Sequence, residues 1–475
     1  MRLAIAGHWP RELLTTNYMR RQVLLLLALA SHFAFPLGAV ICSVAAAATP
    51  NLVIFIADDH GYADTSLNGA MQFSTPNLQR VARAGMTFTH AFTASPSCAP
   101  SRAALLTGLM PMRNGAMLNH ALPLAEVKKL PAYLKELGYE VVAFGKVAHY
   151  KQGQNYGFDH ASHDGFHDDE CVVAAVDFLK QRTVRSPLCL LVGTNWPHVP
   201  WPEVDSAIHL ESFQPPPQHV DTPETRHWRA RYAAAVTRFD NDLGQLYDAA
   251  FEHLGSNTLF LQFSDHGAQW PFGKWNLYDE GTRVGFVAVW PGVVSAESRC
   301  DAMISLVDVL PTLIDAAGGA PPSNIDGQSF KNVLTGKSAT FREAIFTTHS
   351  GDGAMNRYPM RSVRTRQWKY IRNLRPKAEH TTHIDLGKAI DGNAYWNSWV
   401  EKAKQDAQAA AVIARYRRRP AEELYDLQRD PLEQNNVADD AARASVLNAL
   451  RAQLDAWMQQ QGDRGRATED ALEAP

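Results

Sequence analysis

The sequence predicts an α/β protein: a doubly wound, mostly parallel central sheet with helices on both faces, followed by a small C-terminal α+β subdomain with an antiparallel sheet. Three observations carry this expectation. Asn51-Leu-Val-Ile-Phe-Ile-Ala57 is a continuous apolar run rich in β-branched residues, the pattern of a strand buried on both faces, and Asp58-Asp59 stands at its carboxyl end. Apolar strand-like runs and helical patterns then alternate through Trp290, with polar residues recurring just beyond the strand ends. Open α/β sheets place their ligands at that edge. From about residue 355 the pattern shifts to alternating basic and apolar residues, which suits antiparallel strands.

In chain order, residues 76–85 read as a short amphipathic helix closed by Gly85, and 88–93 as a strand. Pro100 resembles a helix-opening proline and 101–106 has good helix-forming content. Cys98 is therefore expected beside free backbone N–H groups, with Arg102 one turn on. Residues 130–137 form a helix stopped by Gly138, and 140–144 a strand delivering Gly145-Lys146 and then His149. Residues 172–179 are helical, and 188–192 form a strand that delivers Asn195-Trp-Pro-His198. The Pro-, His- and acid-rich stretch 200–225 reads as a long surface loop bordering a cleft. A long amphipathic helix over 227–254 leads to a strand at 258–263 that ends in Ser264-Asp-His-Gly267, and 284–290 is another strand. In the C-terminal part, 360–372 reads as a half-exposed antiparallel pair with its basic residues on solvated faces. One more strand is expected at 423–427, a terminal helix at 441–459, and a flexible tail over 461–475.

Composition narrows the class. With 475 residues, 45% apolar and 20% charged, the chain is an ordinary globular protein. A net charge of −3 gives no sign of the polyanion clamp of a nucleic-acid-binding protein. Arg20-Arg21, the apolar stretches 23–30 and 33–48, and four closing alanines form an export signal; the competing reading is a retained membrane anchor, against which stand His32 and Pro36 interrupting the run and the small residues that close it. Met19 suits the true start, which makes 1–18 an upstream extension and 19–48 a signal peptide. The mature chain is then an α/β domain over 49–354 that holds the chemistry and an antiparallel-sheet subdomain over 355–460, secreted or periplasmic, with no stable membrane insertion. Beyond the signal, Cys98, Cys171, Cys189 and Cys300 show neither a zinc spacing nor a disulfide framework. A free thiol in an oxidising compartment is a liability, so Cys98 must be protected, paired or chemically altered.

Asp58, Asp59 and Asp265 are three carboxylates at strand ends, with His266 beside the last. Clustered carboxylates repel one another, and a divalent cation stabilises them. The oxygen-rich set favours Ca2+ or Mg2+, while the imidazole of His266 leaves Mn2+, Fe2+ and Zn2+ open. Arg102, Lys146 and Lys274, with His149 and His198, complete a pocket suited to a tetrahedral oxyanion, the histidines being candidates for proton delivery. Any one of these residues would more often be a cap, a surface ion pair or a structural histidine. Their repeated placement after apolar strands points to function.

Cys98-Ala-Pro-Ser-Arg102-Ala-Ala-Leu-Leu-Thr-Gly108 resembles the sulfatase signature Cys-x-Pro-Ser-Arg followed by Leu/Met-Thr-Gly. The likeness extends through Thr75-Pro-Asn-Leu78, Gly145-Lys146, Ser264-Asp-His-Gly267 and Glu423-Leu-Tyr-Asp-Leu-Gln-Arg-Asp-Pro431. The chain is thus identified as a member of the sulfatase family of the alkaline-phosphatase-like superfamily. That resemblance implies that a formylglycine-generating or sulfatase-maturating enzyme oxidises Cys98 to formylglycine, whose hydrated gem-diol is the nucleophile. It implies one Ca2+ held by Asp58, Asp59, Asp265 and His266, where many relatives carry Asn at the last position. Arg102 and Lys146 would stabilise nucleophile and sulfate, Lys274 and His198 would contact sulfate, and His198 or His149 would protonate the leaving group. His149 falls three residues after Lys146, where many members have two.

Gly273-Lys-Trp-Asn-Leu-Tyr278 and Tyr358-Pro-Met-Arg-Ser-Val363 resemble the N-sulfoglucosamine sulfohydrolase branch, which implies a sulfated saccharide substrate or glycosaminoglycan fragment, O- or N-sulfated. A phosphonate monoester or phosphodiester hydrolase of the same superfamily is the rival reading. A non-catalytic secreted glycan-binding protein would show decay at the nucleophile, metal or cationic positions, and none is decayed.

Overall fold

Strand β1 (Asn51–Ala57) has no polar face, and both of its faces are used. Val53, Phe55 and Ala57 pack into one core layer while Leu52, Ile54 and Ile56 pack into the opposite one. Each such side chain contributes about 1.5–3 kcal/mol by leaving water, which pins β1 to the centre of a sheet. The structure, a computed structural model, describes residues 49–205, 208–353, 355–388 and 392–472. The segments expected to be an upstream extension and a signal peptide lie outside the described residues.

The strands that follow are β2 (Met86–Phe92), β3 (Glu140–Gly145), β4 (His160–Ser162), β5 (Leu188–Gly193), β6 (Thr258–Ser264), β7 (Arg283–Val289) and β8 (Ser298–Ser305). They complete an eight-stranded sheet in the order β4-β3-β5-β1-β6-β7-β2-β8. β7 runs antiparallel to β6 and β2, and every other neighbouring pair is parallel. The doubly wound, mostly parallel sheet is therefore as expected. Helices Pro76–Arg83, Cys171–Gln181 and Pro223–Leu254 cover one face, and Cys98–Thr107, Leu130–Lys135 and Val309–Ala316 cover the other.

The long helix starts at Thr222, whose hydroxyl accepts from the Thr225 N–H, with Pro223 at the first helical position. Its Asp240 carboxylate accepts from the N–H groups of Asn77 and Leu78 at 2.9 and 2.8 Å. It thereby caps the helix Pro76–Arg83, whose own Thr75 makes no side-chain cap bond.

The second sheet is antiparallel, in the order β12-β11-β10-β9, from β9 (Ile345–His349), β10 (Met360–Arg364), β11 (Trp368–Asn373) and β12 (Glu422–Asp426). Its first strand begins ten residues ahead of the expected boundary at 355. The structure corrects three further expectations here. The β10–β11 pair is covered on both faces: Met360 and Ile371 join the core of the large sheet, while Val363 and Tyr370 pack with Leu447 and Leu454 of the helix Ala444–Gln461. Three of its basic residues, Arg361, Arg364 and Lys369, are buried, whereas Arg366 is exposed and Arg372 partly so, as expected of a solvated face. Arg361 pairs with Asp463 at 2.5 Å and Glu469 at 2.6 Å, Arg364 with Asp279 at 3.1 Å, and Lys369 with Asp279 and Glu433 at 2.6 and 3.0 Å. The tail, expected to be flexible, carries the helix Arg466–Leu472, and Glu469 anchors it to Arg361 and to Ser350.

Arg361 faces two buried carboxylates, so Arg361→Ala leaves both unpaired and should destabilise the fold by about 3–5 kcal/mol. Urea denaturation reads this as a lowered midpoint, with Arg466–Leu472 becoming the first segment cut in limited proteolysis. A midpoint equal to wild type would mean that water already solvates these groups.

Candidate active site

The ten residues singled out in the sequence converge at the carboxyl edge of the large sheet. Asp58 and Asp59 follow β1, Lys146 and His149 follow β3, His198 follows β5, and Asp265 and His266 follow β6. Asp59 has a left-handed backbone (φ 65°), a conformation that Asp tolerates better than most residues. That turn lets its N–H donate to Asp265 Oδ1 at 3.2 Å, which also accepts from the His266 N–H at 2.9 Å. Lys146 enters the site because Gly145 and Gly193 let two backbones touch. A Cβ on Gly145 would lie 2.3 Å from the Gly193 carbonyl, and one on Gly193 would lie 2.1 Å from that of Lys146.

Cys98 opens its helix. The helix expected to start at Pro100 begins two residues earlier, with Ser97 as the extended cap and Pro100 inside the first turn. Proline fits there because first-turn N–H groups have no intrahelical acceptor. Cys98 Sγ lies 3.7 Å from Asp58 Oδ1, 3.8 Å from Lys146 Nζ and 3.4 Å from His266 Nε2.

Three cations bind the three carboxylates. Arg102 donates through Nε to Asp265 Oδ2 at 2.9 Å, through Nη2 to Asp58 Oδ1 at 3.1 Å, and through Nη1 to the Lys146 carbonyl. Lys146 Nζ donates to Asp58 Oδ2 at 2.6 Å and sits 4.5 Å above the Tyr150 ring. Lys274 Nζ bridges both oxygens of Asp59 at 2.9 and 2.8 Å. His198 Nε2 lies 3.8 Å from Asp59 Oδ2, and its Nδ1 is 2.6 Å from the Val199 carbonyl. His149 is one step further out, its Nε2 2.6 Å from His120 Nδ1.

These partners set the proton affinities. Burial raises that of Asp58, but the charges of Lys146 and Arg102 outweigh it and hold the carboxyl well below the usual range. Burial pushes Asp59 up, only partly offset by Lys274. Burial alone would lower both lysines, yet Asp58 beside Lys146 and Asp59 beside Lys274 hold them above the ordinary lysine range. Burial, reinforced by Lys146, depresses both His149 and His198. The Cys98 thiol is pushed up to about 12 by burial, against the pull of Lys146 and Lys274.

The donor set fits a divalent cation. Asp58, Asp59, Cys98 and His266 each bring a ligand atom within 4.8 Å of the others. His266 Nδ1 faces the Gly267 carbonyl at 2.9 Å, so it carries the proton, and the Nε2 lone pair points into the site as in metal-bound histidines. Nε2 is 3.5 Å from both Asp59 Oδ1 and Asp265 Oδ2. That is too long for a strong hydrogen bond. It is the spacing of adjacent ligand atoms at right angles on a cation bound at about 2.4 Å.

Sequence reasoning missed an outer tier. The Asn119 carboxamide accepts from the Ala99 N–H at 3.0 Å and donates to Asp352 at 3.4 Å. Asp352 also faces His120 at 3.3 Å, and His120 contacts His149. Asn119 and His120 follow no periodic pattern, and Asp352 comes from the C-terminal part. The left-handed backbone at His120 (φ 70°) is visible only in the fold.

Comparison with known proteins agrees with this geometry. Residues 50–320 match the family model "Sulfatase", and 266–410 match "N-sulphoglucosamine sulphohydrolase, C-terminal". The chain is 31% identical over 423 residues to an ulvan-active sulfatase of Formosa agariphila, covering 87% of this chain and 81% of the relative. It is 30% identical over 461 residues to human N-sulphoglucosamine sulphohydrolase, covering 86% and 89%. A solved structure of a protein in complex with its substrate D-glucosamine-2-N,6-O-disulfate superposes with a TM-score of 0.67 at 20% identity, covering 88% of this chain and 99% of the other.

The position of the Cys98 thiol, up to about 12 against an ordinary value of 9.0, makes the unmodified residue a poor nucleophile. In folded protein that carries unmodified Cys98, alkylation by iodoacetamide at pH 8 should run at least about a thousandfold slower than in denaturant. Peptide mass spectrometry checks this, and equal rates in the two states would contradict the buried, protonated thiol.

Proposed function

The chain belongs to the sulfatase family, and from that premise we propose that it hydrolyses sulfate esters or N-sulfate groups on sulfated sugars, including glycosaminoglycan fragments. The observation that carries this reading is the placement of Cys98 at a helix start, 3.4–3.8 Å from Asp58, Lys146 and His266. Oxidised by a maturating enzyme to formylglycine and hydrated, residue 98 would supply a gem-diol oxygen as nucleophile, and a Ca2+ held by Asp58, Asp59, Asp265 and His266 would supply Lewis acidity.

The other residues have separable parts. All three guanidinium nitrogens of Arg102 are engaged by the protein, so Arg102 is a positioning residue that holds Asp58, Asp265 and the Lys146 backbone around residue 98. Lys146 and Lys274 are compact cations on either side of the carboxylate pair, suited to the charge that builds on the sulfuryl oxygens. Asp59, pushed up by burial, is the better of the adjacent carboxylates for taking a proton from the nucleophile. His198 rests neutral because burial, Lys146 and Lys274 oppose its charge. A bound sulfate anion offsets those lysines, raises the proton affinity of Nε2 and lets it protonate the leaving oxygen or nitrogen. His149, already in contact with His120, supports this outer side.

The match of residues 266–410 to the N-sulphoglucosamine sulphohydrolase C-terminal model favours an amino sugar, and the likeness to the ulvan-active sulfatase keeps ulvan-like chains in the substrate class. The export pattern at 19–48 supports a secreted or periplasmic site of action. Among the described residues no helix is long and apolar enough to cross a membrane.

Mass spectrometry of the peptide containing position 98, from protein made in its native host, should find an aldehyde in place of the thiol, and Cys98→Ala should fold and lose turnover. Unmodified thiol in protein lacking sulfatase activity would defeat the proposal. Chelation should abolish activity and lower thermal stability, and Ca2+ at about 100 times its dissociation constant should return about 2.7 kcal/mol. His198→Ala should reduce kcat for a sugar sulfate by about 100-fold or more and affect an aryl sulfate with an acidic phenol far less. Equal losses on both substrates would remove His198 from proton delivery.

A further inference from the structure

A cavity of about 390 Å³, within the size range of small-molecule sites, lies where the segment after β1, the proline-rich loop at 214–218, β7 and the C-terminal part meet. None of the ten active-site residues lines it. Its distinguishing feature is unused hydrogen-bonding capacity on fixed guanidinium groups. Arg283 lies 4.0 Å over the Tyr62 ring, donating through Nε to the Thr89 carbonyl at 2.9 Å and through Nη2 to the same carbonyl and to the Tyr62 hydroxyl at 3.2 Å, while Nη1 has no partner among the described residues. Arg415 lies 4.1 Å over the Phe272 ring and donates through Nη1 to the Glu433 carbonyl at 2.9 Å, which leaves Nε and Nη2 without partners among the described residues. Neither arginine has a carboxylate within ion-pair distance among the described residues. Arg229, only 3% exposed, lines the same space with an unpartnered Nε, as does Gln218, 5% exposed, with an unpartnered Oε1.

The acidic residues of the lining are already engaged. Asp279 is held by Arg364 and Lys369, Glu280 by Gln218 and His219, Asp64 by Arg229, and Glu433 by Lys369. What remains open is a set of planar cationic donors, fixed by ring stacking, and the buried carboxamide oxygen of Gln218. Guanidinium edges match the paired oxygens of a sulfate or carboxylate. The free Gln218 oxygen matches a hydroxyl donor.

We propose that this cavity is a second saccharide site, separate from the active site, that holds a sulfate- or carboxylate-bearing sugar unit. The choice of a saccharide rests on the sulfatase reading, whereas the preference for an anion rests on the cavity alone. A second foothold on a polyanionic chain raises the effective concentration of its other units near the active site.

The test uses full-length Cys98→Ala protein, which prevents turnover, and titration calorimetry with three probes: an N-sulfoglucosamine–uronate disaccharide, its desulfated counterpart and inorganic sulfate. The expected result is two disaccharide sites per chain, one of which Arg415→Ala or Arg283→Lys weakens by about tenfold or more. In protein retaining the active nucleophile, Arg415→Ala should leave turnover of a small aryl sulfate unchanged. If the desulfated disaccharide still occupies the Arg415-dependent site, the carboxylate is the group recognised; if only the sulfated form does, the sulfate is. One disaccharide site that neither arginine substitution affects would overturn the proposal, as would binding of inorganic sulfate alone at that site. A single site sensitive to Arg415 but not to Lys274→Ala, together with no sulfatase activity in the parent protein that retains residue 98, would keep the cavity proposal and defeat the sulfatase reading instead.

Discussion

Three fully buried carboxylates on two adjacent strand ends are the constraint to which the rest of this structure answers. Asp58, Asp59 and Asp265 are withdrawn from water within a few ångströms of one another. Removing such groups from water costs several kcal/mol each unless partners compensate. Arg102 is the most connected of those partners, linking Asp58 after β1, Asp265 after β6 and the Lys146 carbonyl after β3 through a single planar group. It ties the helix that begins at Cys98 to three strand ends, so the geometry around residue 98 is set by the same bonds that neutralise the site. Three carboxylates against three cations balance in charge. A divalent cation would therefore leave the site positive, the polarity an anionic ester needs.

The same burial accounts for the chemistry of Cys98. In its unmodified form it is a protected thiol, held protonated by the low-dielectric surroundings despite two nearby lysines. Cys171, Cys189 and Cys300 are also buried and free of disulfides. The proposed oxidation to formylglycine would replace this unreactive thiol by an oxygen nucleophile. The surrounding cations would serve a new oxygen nucleophile equally well, since they are already held by carboxylates that do not depend on the sulfur.

The C-terminal part contributes more than a cover. Asp352 reaches the outer tier of the active site beside Asn119 and His120, and Arg415 and Leu432 help to close the separate cavity. Arg361 and Arg364 of β10 and Lys369 of β11 act as internal counter-charges. Arg364 and Lys369 neutralise Asp279 at the end of the loop that carries Lys274, and Arg361 fastens the last described helix. Changes in this region can therefore reach the active site through the loop 266–279 without contacting substrate.

Much of this was legible in the sequence because it was encoded locally. The apolar run of β1 needed no distant information to be read as a strand buried on both faces, and the residues just past β1, β3, β5 and β6 could be named because strand ends on a parallel sheet share one edge. The Cys98–Gly108 signature likewise sits within one helix and its cap. Charge pairing is different, since a basic residue on an alternating strand looks the same whether its partner is water or a carboxylate a hundred residues away. Arg361 with Asp463 and Glu469, Asn119 with Asp352, the order of the helix at 466–472 and the cavity between Arg283 and Arg415 were decided only when the chain closed on itself. Hydrophobic periodicity is a property of neighbours along the chain and determined the sheet and its functional edge. Which charges are buried, and against what, depends on contacts that exist only in three dimensions.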